Sequence, residues 1–220
     1  MTKIAIMQPH FFPWGGYFQL INSCDYFIIL DDVEINYQSW QTRNYFYLNN
    51  KYTIISLPIK KLNNKLISSA ELFRYDVWKK KFLTTLDQNY KKKKNFNDIK
   101  EIVSIISKNH TSLININLEI IKFFKKILSI RSKIILSSEL AIEKKYKKTE
   151  KIENILCKFK NPVYIAVPGS IAYMEEQNFD YASYNTSTIL YKKIFLNKSI
   201  NFNILDLIVN KGVETIVKNL

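Results

Sequence analysis

The chain has 220 residues, 47% of them hydrophobic and 14% aromatic, with a formal net charge of +14. This composition supplies a sizeable core and excludes a disordered chain; two cysteines and two histidines exclude a disulfide framework and leave too few ligands for a Cys/His zinc site. No apolar stretch reaches the roughly 18 residues of a membrane span, and the N-terminus lacks the basic and uninterrupted apolar regions of a signal peptide, so the expected setting is a soluble, reducing cytoplasm.

Lys3–Met7 is a short apolar run that predicts a buried strand. Pro9 and Pro13 break it, and Gly15-Gly16 permits a turn. Tyr17–Ser23 then predicts a short helix with Phe18, Leu20 and Ile21 turned inward, and Tyr26–Leu30 a second apolar strand with Asp31-Asp32 at its carboxyl end. Strand, helix, strand in this order predicts a parallel unit covered on both faces. Tyr45–Leu48 and Tyr52–Pro58 flank Asn49-Asn50-Lys51 and predict a hairpin.

The middle of the chain reads as helical. Asp76 is the expected cap of a helix carrying Trp78, Phe82, Leu86 and Tyr90; Asp98 caps one with Ile99, Ile102, Val103 and Ile106; Asn117 precedes one with Leu118, Ile121, Phe124 and Leu128. Lys133–Leu136 predicts a strand before Ser137-Ser138-Glu139. Thr149 is the expected cap of a helix ending near Lys158, and Val163–Val167 predicts another buried strand. Pro168-Gly169-Ser170 follows, with Ser170 expected to cap a helix over Ile171–Gln177. Ile204–Asn210 closes the chain as a short helix that Gly212 ends. The expected fold is α/β, a mostly parallel sheet with a helical insertion at about 76–130, in one domain over 1–220.

The lysines cluster in runs such as Lys79–Lys81, Lys91–Lys94 and Lys144–Lys148. They lie on or between helical segments and read as a solvated face. No zinc-finger spacing, RNA-recognition signature or basic zipper accompanies them, so nucleic acid is not the expected partner.

Ligands of open α/β sheets bind outside the carboxyl ends of the strands. Gln8-Pro9-His10, Asp31-Asp32 and Pro168-Gly169-Ser170 all fall there. His10 suits a general base or a phosphate contact, or a packed structural histidine. Asp31 and Asp32 suit a metal, an amine or proton abstraction, or the capping of the next turn. Gly169-Ser170 before a helix suits an anion, or equally a plain turn and cap. Ser39-Trp40-Gln41-Thr42-Arg43-Asn44 combines a stacking aromatic, amides and a guanidinium. Such a set clamps a base, sugar or phosphate, or else forms a polar turn anchored by Trp40. His110 reads as a loop residue. No Walker motif, GxSxG elbow or GxGxxG fingerprint is present, and the residues assign no cofactor.

The blocks IMQPHFFPWGGYFQLI and CDYFIILDDVEINYQSWQTRN resemble the WbqC-like family, and the resemblance continues through VWKKKFLTTLDQNYKKKKNF, SSEL, PVYIAVPGSIAYM and ILDLIVNKG. It implies a role in bacterial surface-polysaccharide biosynthesis, including O-antigen, and a cytoplasmic enzyme that modifies an amino group on a nucleotide-linked sugar. Carried over by position, the motif residues are Gln8, His10, Pro13, Gly16, Asp31, Asp32, Trp40, Arg43, Asn44, Gly169 and Tyr173. The chain departs from the family pattern at Pro168–Tyr173, where many relatives carry an extra Gly or Ser and an Asp before the Tyr. The opening block is also similar to the HxGH region of HUP-type nucleotidyltransferases, with both histidines of that motif missing. That similarity implies a Rossmann-like sheet.

Three functions follow as expectations. The first is a transferase that acylates or otherwise modifies a nucleotide-activated amino sugar, with His10, Asp31 and Asp32 catalytic. Gln8, Gly16, Trp40, Gln41, Arg43, Asn44, Gly169, Ser170 and Tyr173 would bind its phosphorylated substrate. The second is nucleotidyl or adenylyl transfer at a HUP-type site. The third is a binding or scaffold protein without catalysis.

Overall fold

In a computed structural model, which describes residues 1–61, 65–143, 145–196 and 202–220, the apolar run at Ile4–Ile6 lies at the centre of a parallel sheet. Lys144, part of one lysine run, falls outside the described residues. The chain divides into two compact units: the first comprises 1–8, 19–32 and 131–191, the second 9–18, 33–130 and 192–220.

The first unit is built on β1 (Thr2–Met7), β2 (Tyr26–Ile29), β5 (Lys133–Leu136), β6 (Pro162–Ala166) and the two-residue β7 (Ser187–Thr188), in spatial order β5-β2-β1-β6-β7. Every pairing is parallel; Ile4 stands opposite Tyr26 and Tyr164, and Tyr26 opposite Lys133. Continuous apolar strands are expected where both faces are covered. Ile4, Ile6, Ile28, Tyr164 and Ala166 pack with Ile152, Ile155 and Leu156 of α5 (Lys148–Leu156), and with Met174 of α6 (Ile171–Glu176).

The second unit holds a hairpin and most of the helices. β3 (Arg43–Leu48) and β4 (Lys51–Ser56) pair antiparallel, and Asn49 and Asn50 take φ of 48° and 61°. Two consecutive left-handed residues give the turn whose twist matches that of paired strands. α2 (Tyr75–Tyr90), α3 (Glu101–Ser107) and α4 (Leu113–Ile127) follow, and α7 (Ile204–Lys211) and α8 (Val213–Val217) end the chain. Phe12, Phe46, Phe82 and Phe124 meet at centroid distances of 5.3–6.1 Å, in the edge-on geometry that aromatic rings favour.

The free edge of β3 is closed by side chains. Asn203 caps α7 by accepting from Asp206 N at 2.9 Å, and its amide donates to Tyr45 O at 2.6 Å. Asp206 accepts from Tyr47 N at 3.0 Å, from Tyr90 Oη at 2.8 Å and from Asn203 Nδ2 at 2.7 Å. An unpaired edge exposes backbone groups that seek partners; here two polar side chains meet that demand. Burial outweighs these bonds and raises the Asp206 carboxyl to about 6.

Several expected caps are corrected. α2 begins after Arg74, which has left-handed backbone, so Asp76 lies within the first turn. Asp98 sits inside a 3₁₀ turn, Phe96–Ile99, and Thr149 inside α5. Asn117 lies a full turn into α4, because the helix starts at Leu113; its buried amide donates to Gln41 O at 2.8 Å. Ser170 turns its hydroxyl back to Val167 O at 2.9 Å and leaves α6 without a side-chain cap. Gly15 and Gly16 form the first turn of α1 (Gly15–Asn22), not a turn before it.

Both glycines are explained by close approach. A Cβ on Gly16 would lie 2.1 Å from the Trp14 ring, and one on Gly15 2.3 Å from Phe195 Cδ1, whereas a Cβ on Gly169 meets nothing within 4 Å. Gly16→Ala is therefore expected to lower stability by about 1–3 kcal/mol through overpacking, while Gly169→Ala stays within about 0.5 kcal/mol; urea unfolding of the two variants checks the contrast. A second prediction concerns Asp206. Because its carboxyl is raised to about 6, its contribution to stability is fully present below the ordinary carboxylate range and is lost as pH rises through about 6. The stability of the native protein minus that of Asp206→Asn should thus fall by about 3 kcal/mol between pH 3 and pH 7; a difference that stays flat or rises contradicts it.

Candidate functional site

In the second unit, a loop and the hairpin enclose a cleft of about 360 Å³ lined by Gln38, Trp40, Arg43, Asn44, Tyr45 and Ile54. Strand alternation places it: Asn44 and Phe46 point inward and are buried, so Arg43 and Tyr45 point outward. Trp40 is 48% exposed and Ile54 46%, and the Trp40 and Tyr45 rings lie 5.9 Å apart. Among the described residues, no carboxylate or hydrogen-bond acceptor pairs with the Arg43 guanidinium. An unpaired guanidinium beside two aromatic rings can take an anionic group in its fork and a flat or ring-shaped group on its neighbours.

Of the residues expected in this cluster, the structure brings Trp40, Arg43 and Asn44 to the cleft and gives the amides structural work. Asn44 Nδ2 donates to Phe11 O at 3.1 Å and Phe12 O at 2.7 Å, while its Oδ1 accepts from Tyr45 N at 2.7 Å. Phe12 has φ of 44°, a conformation that a bulky residue adopts only under constraint. Gln41 is buried and accepts from Asn36 N at 3.1 Å through its side chain. Gly16 lies under the Trp14 ring. His10 is half-buried, and its ring stands 5.1 Å from that of Tyr17. Burial pushes its pKa down to about 4, so the imidazole is neutral at pH 7.

In the first unit, the carboxyl ends of β2 and β5 meet in a polar cluster. Asp31 is 1% exposed. Its carboxylate accepts from Ser138 N at 3.0 Å and Ser138 Oγ at 2.7 Å, and Ser137 Oγ lies 3.2 Å from it. Asp32 accepts from Ser137 Oγ and from Lys151 Nζ, the latter at 2.7 Å; Lys151 also donates to Asp32 O at 3.1 Å. Ser137 carries one proton, which goes to the shorter contact, with Asp32. Asp31 thus ties two strand ends together, and Asp32 is a charge balanced by a buried ammonium. No three His, Cys, Asp or Glu side chains among the described residues gather as a metal site.

The other strand-end candidates in this unit stand apart from that cluster's bonding. Half-buried Gln8 follows β1, and exposed Gly169 and half-buried Ser170 follow β6 in a 3₁₀ turn. Tyr173 packs on the sheet's hydrophobic cluster, with its pKa raised first by burial and then by Tyr181.

Sequence reasoning missed Lys151. A usable signal was present, since Lys151 lies one turn before Ile155 on the inward face of α5. Tyr45 and Ile54 were read as hairpin residues; only the register brings them opposite each other beside Trp40. Replacing Lys151 with Met leaves Asp32 as an uncompensated, largely buried charge. The expected loss is about 3–5 kcal/mol in urea unfolding, most of it recovered in the Lys151→Met, Asp32→Asn double variant. A double variant no more stable than the single one contradicts the pairing.

A curated relative, the "Uncharacterized protein Rv1507c" of Mycobacterium tuberculosis, is 27% identical over 229 residues, covering 97% of this chain and 96% of that one. No solved structure matches. No helix among the described residues is long and apolar enough to cross a membrane. The profile of the WbqC-like protein family matches residues 8–218 and runs through both units, and the chain belongs to that family.

Proposed function

We propose that this chain is a transferase that N-acylates a nucleotide-activated amino sugar in the biosynthesis of a bacterial surface polysaccharide. One observation carries the reading: the unpaired Arg43 guanidinium in a cleft flanked by Trp40 and Tyr45. Arg43 takes a phosphate oxygen pair, and Trp40 stacks on the base or the sugar. Family membership supplies the polysaccharide context, and a chain carrying +14 attracts a doubly charged diphosphate. The reading treats residues 1–220 as one functional domain in the cytoplasm.

Within this reading, His10 accepts the proton that the sugar amine loses as it attacks the carbonyl of an activated acyl donor, a thioester or acyl phosphate whose thiol or phosphate departs as the C–N bond forms. It is neutral at pH 7 and therefore free to take the proton, though a base with a pKa of about 4 transfers it with little driving force. Asp32, ion-paired with Lys151, accepts the Ser137 proton, and Ser138 fixes Asp31 beside it. Gln8, Gly169 and Ser170 border the strand ends where a ligand of such a sheet is expected.

A second reading has its own observation. Counted in chain order, the five sheet strands lie 3-2-1-4-5, the order found in doubly wound dinucleotide-binding sheets. It supports a Rossmann-like, HUP-type unit whose switch point falls between β1 and β6, and with it adenylyl or nucleotidyl transfer.

The test of the first reading is thermal unfolding with a panel of nucleotide-linked amino sugars. A bound member should raise Tm by several degrees at saturating concentration, and Arg43→Ala and Trp40→Ala should abolish the shift without altering the fold by circular dichroism. Adding acyl donors should then increase the sugar's mass by the acyl group. If no panel member binds, while ATP or CTP binds and releases pyrophosphate, the second reading replaces the first.

A further inference from the structure

The outer face of the hairpin continues away from the cleft. Its register sets Tyr45 opposite Ile54 and Tyr47 opposite Tyr52, and alternation puts all four on the face that carries Arg43. Tyr47 is 38% exposed; its ring lies 5.2 Å from that of Tyr52, which lies 5.7 Å from Phe202. The hydroxyls of Tyr45 and Tyr47 have no hydrogen-bond partner among the described residues. Arg43, at one end, is the single charged side chain that the two strands place on this face.

Exposed aromatic rings grouped together mark a binding surface. Three classes of occupant differ in what they require. A nucleic-acid strand needs cations spaced along its backbone, and this face has one. A stable protein interface needs about 800 Å² from each partner, more than four or five side chains offer. A saccharide needs flat apolar rings for the C–H faces of its sugars and hydroxyl groups for their edges; Tyr45, Tyr47 and Tyr52 supply the rings, and Tyr45 and Tyr47 the hydroxyls.

We propose that the strip from Tyr45 to Tyr47, Tyr52 and Phe202 binds a saccharide chain of two or more units beside the Arg43 cleft. It is a site separate from the acyl transfer, whose acceptor is the amine of the nucleotide-linked sugar, and it does not rest on the transferase reading. The strip and the cleft lie on one face of one hairpin, so a chain held on the strip borders the cleft without any rearrangement of the strands.

The experiment is binding of the full-length protein to a printed array of bacterial oligosaccharides rich in amino sugars, with a nucleotide-linked amino sugar titrated separately by calorimetry. Saccharide binding should weaken about five- to tenfold or more in Tyr47→Ala, the order expected for losing one ring. It should weaken less in Tyr47→Phe and survive in Arg43→Ala. Loss of nucleotide-sugar binding in Arg43→Ala tests the cleft alone, so the two ideas fail separately. The proposal is overturned if no array member binds the native protein, or if binding is unchanged in Tyr47→Ala and in Ile54→Ser. It is equally overturned if single-stranded RNA or self-association, measured by sedimentation, shows the Tyr47 dependence instead.

Discussion

The second unit depends on one side-chain amide. Asn44 Nδ2 has two protons, and it gives one to each of the consecutive carbonyls of Phe11 and Phe12. Two adjacent carbonyls converge on one donor only if the backbone turns sharply between them, and Phe12 does so with φ of 44°. That conformation costs a bulky residue on the order of 1–2 kcal/mol. The compensation comes from Asn44 and from the aromatic cluster into which Phe11 and Phe12 are turned. The same amide then determines what faces outward. With Asn44 fixed inward, the two-residue period of the strand sends Arg43 and Tyr45 to the other side, where they line the cleft.

Three aspartates illustrate how environment separates residues of one type. Asp31 accepts both donors of Ser138 and is 1% exposed, which keeps its carboxylate from solvent. Asp32, its neighbour, keeps its charge against Lys151. Asp206 accepts from three neutral groups with Lys93 as a weaker electrostatic influence, and its carboxyl rises to about 6 because burial exceeds what these return. Buried carboxylates are costly unless every oxygen is satisfied, and each of the three meets that requirement differently. Two of them join strand ends to helix or turn, and the third seals a sheet edge.

The opening stretch QPHFFPWGGYF raises the question of whether so many special residues serve packing or a ligand. Its glycines are there because Trp14 and Phe195 lie against the first turn of α1, and its phenylalanines because a tight corner is filled from within. Gln8, His10 and Trp14 are its partly buried members, and of these His10 alone titrates, which leaves it for chemistry in the transferase reading.

Periodicity alone determined much of this protein. The parallel strands at Thr2–Met7, Tyr26–Ile29 and Pro162–Ala166, the hairpin at Asn49-Asn50 and the helix over Tyr75–Tyr90 were legible because burial on two faces, a left-handed turn and an apolar stripe each leave a local pattern. The family was legible for the same reason, in contiguous blocks. The caps at Asp76, Asp98, Thr149 and Ser170 were misread because a short polar residue before an apolar run has the same sequence whether it caps a helix, sits in its first turn or bonds elsewhere. The tertiary structure decided what sequence spacing could not reach: that Lys151 neutralises Asp32 across 119 positions, that Asp206 serves Tyr47 across 159, and that Ile54 stands opposite Tyr45. Those partners are set by strand order and register, which depend on how distant segments bury one another, and no local period encodes that.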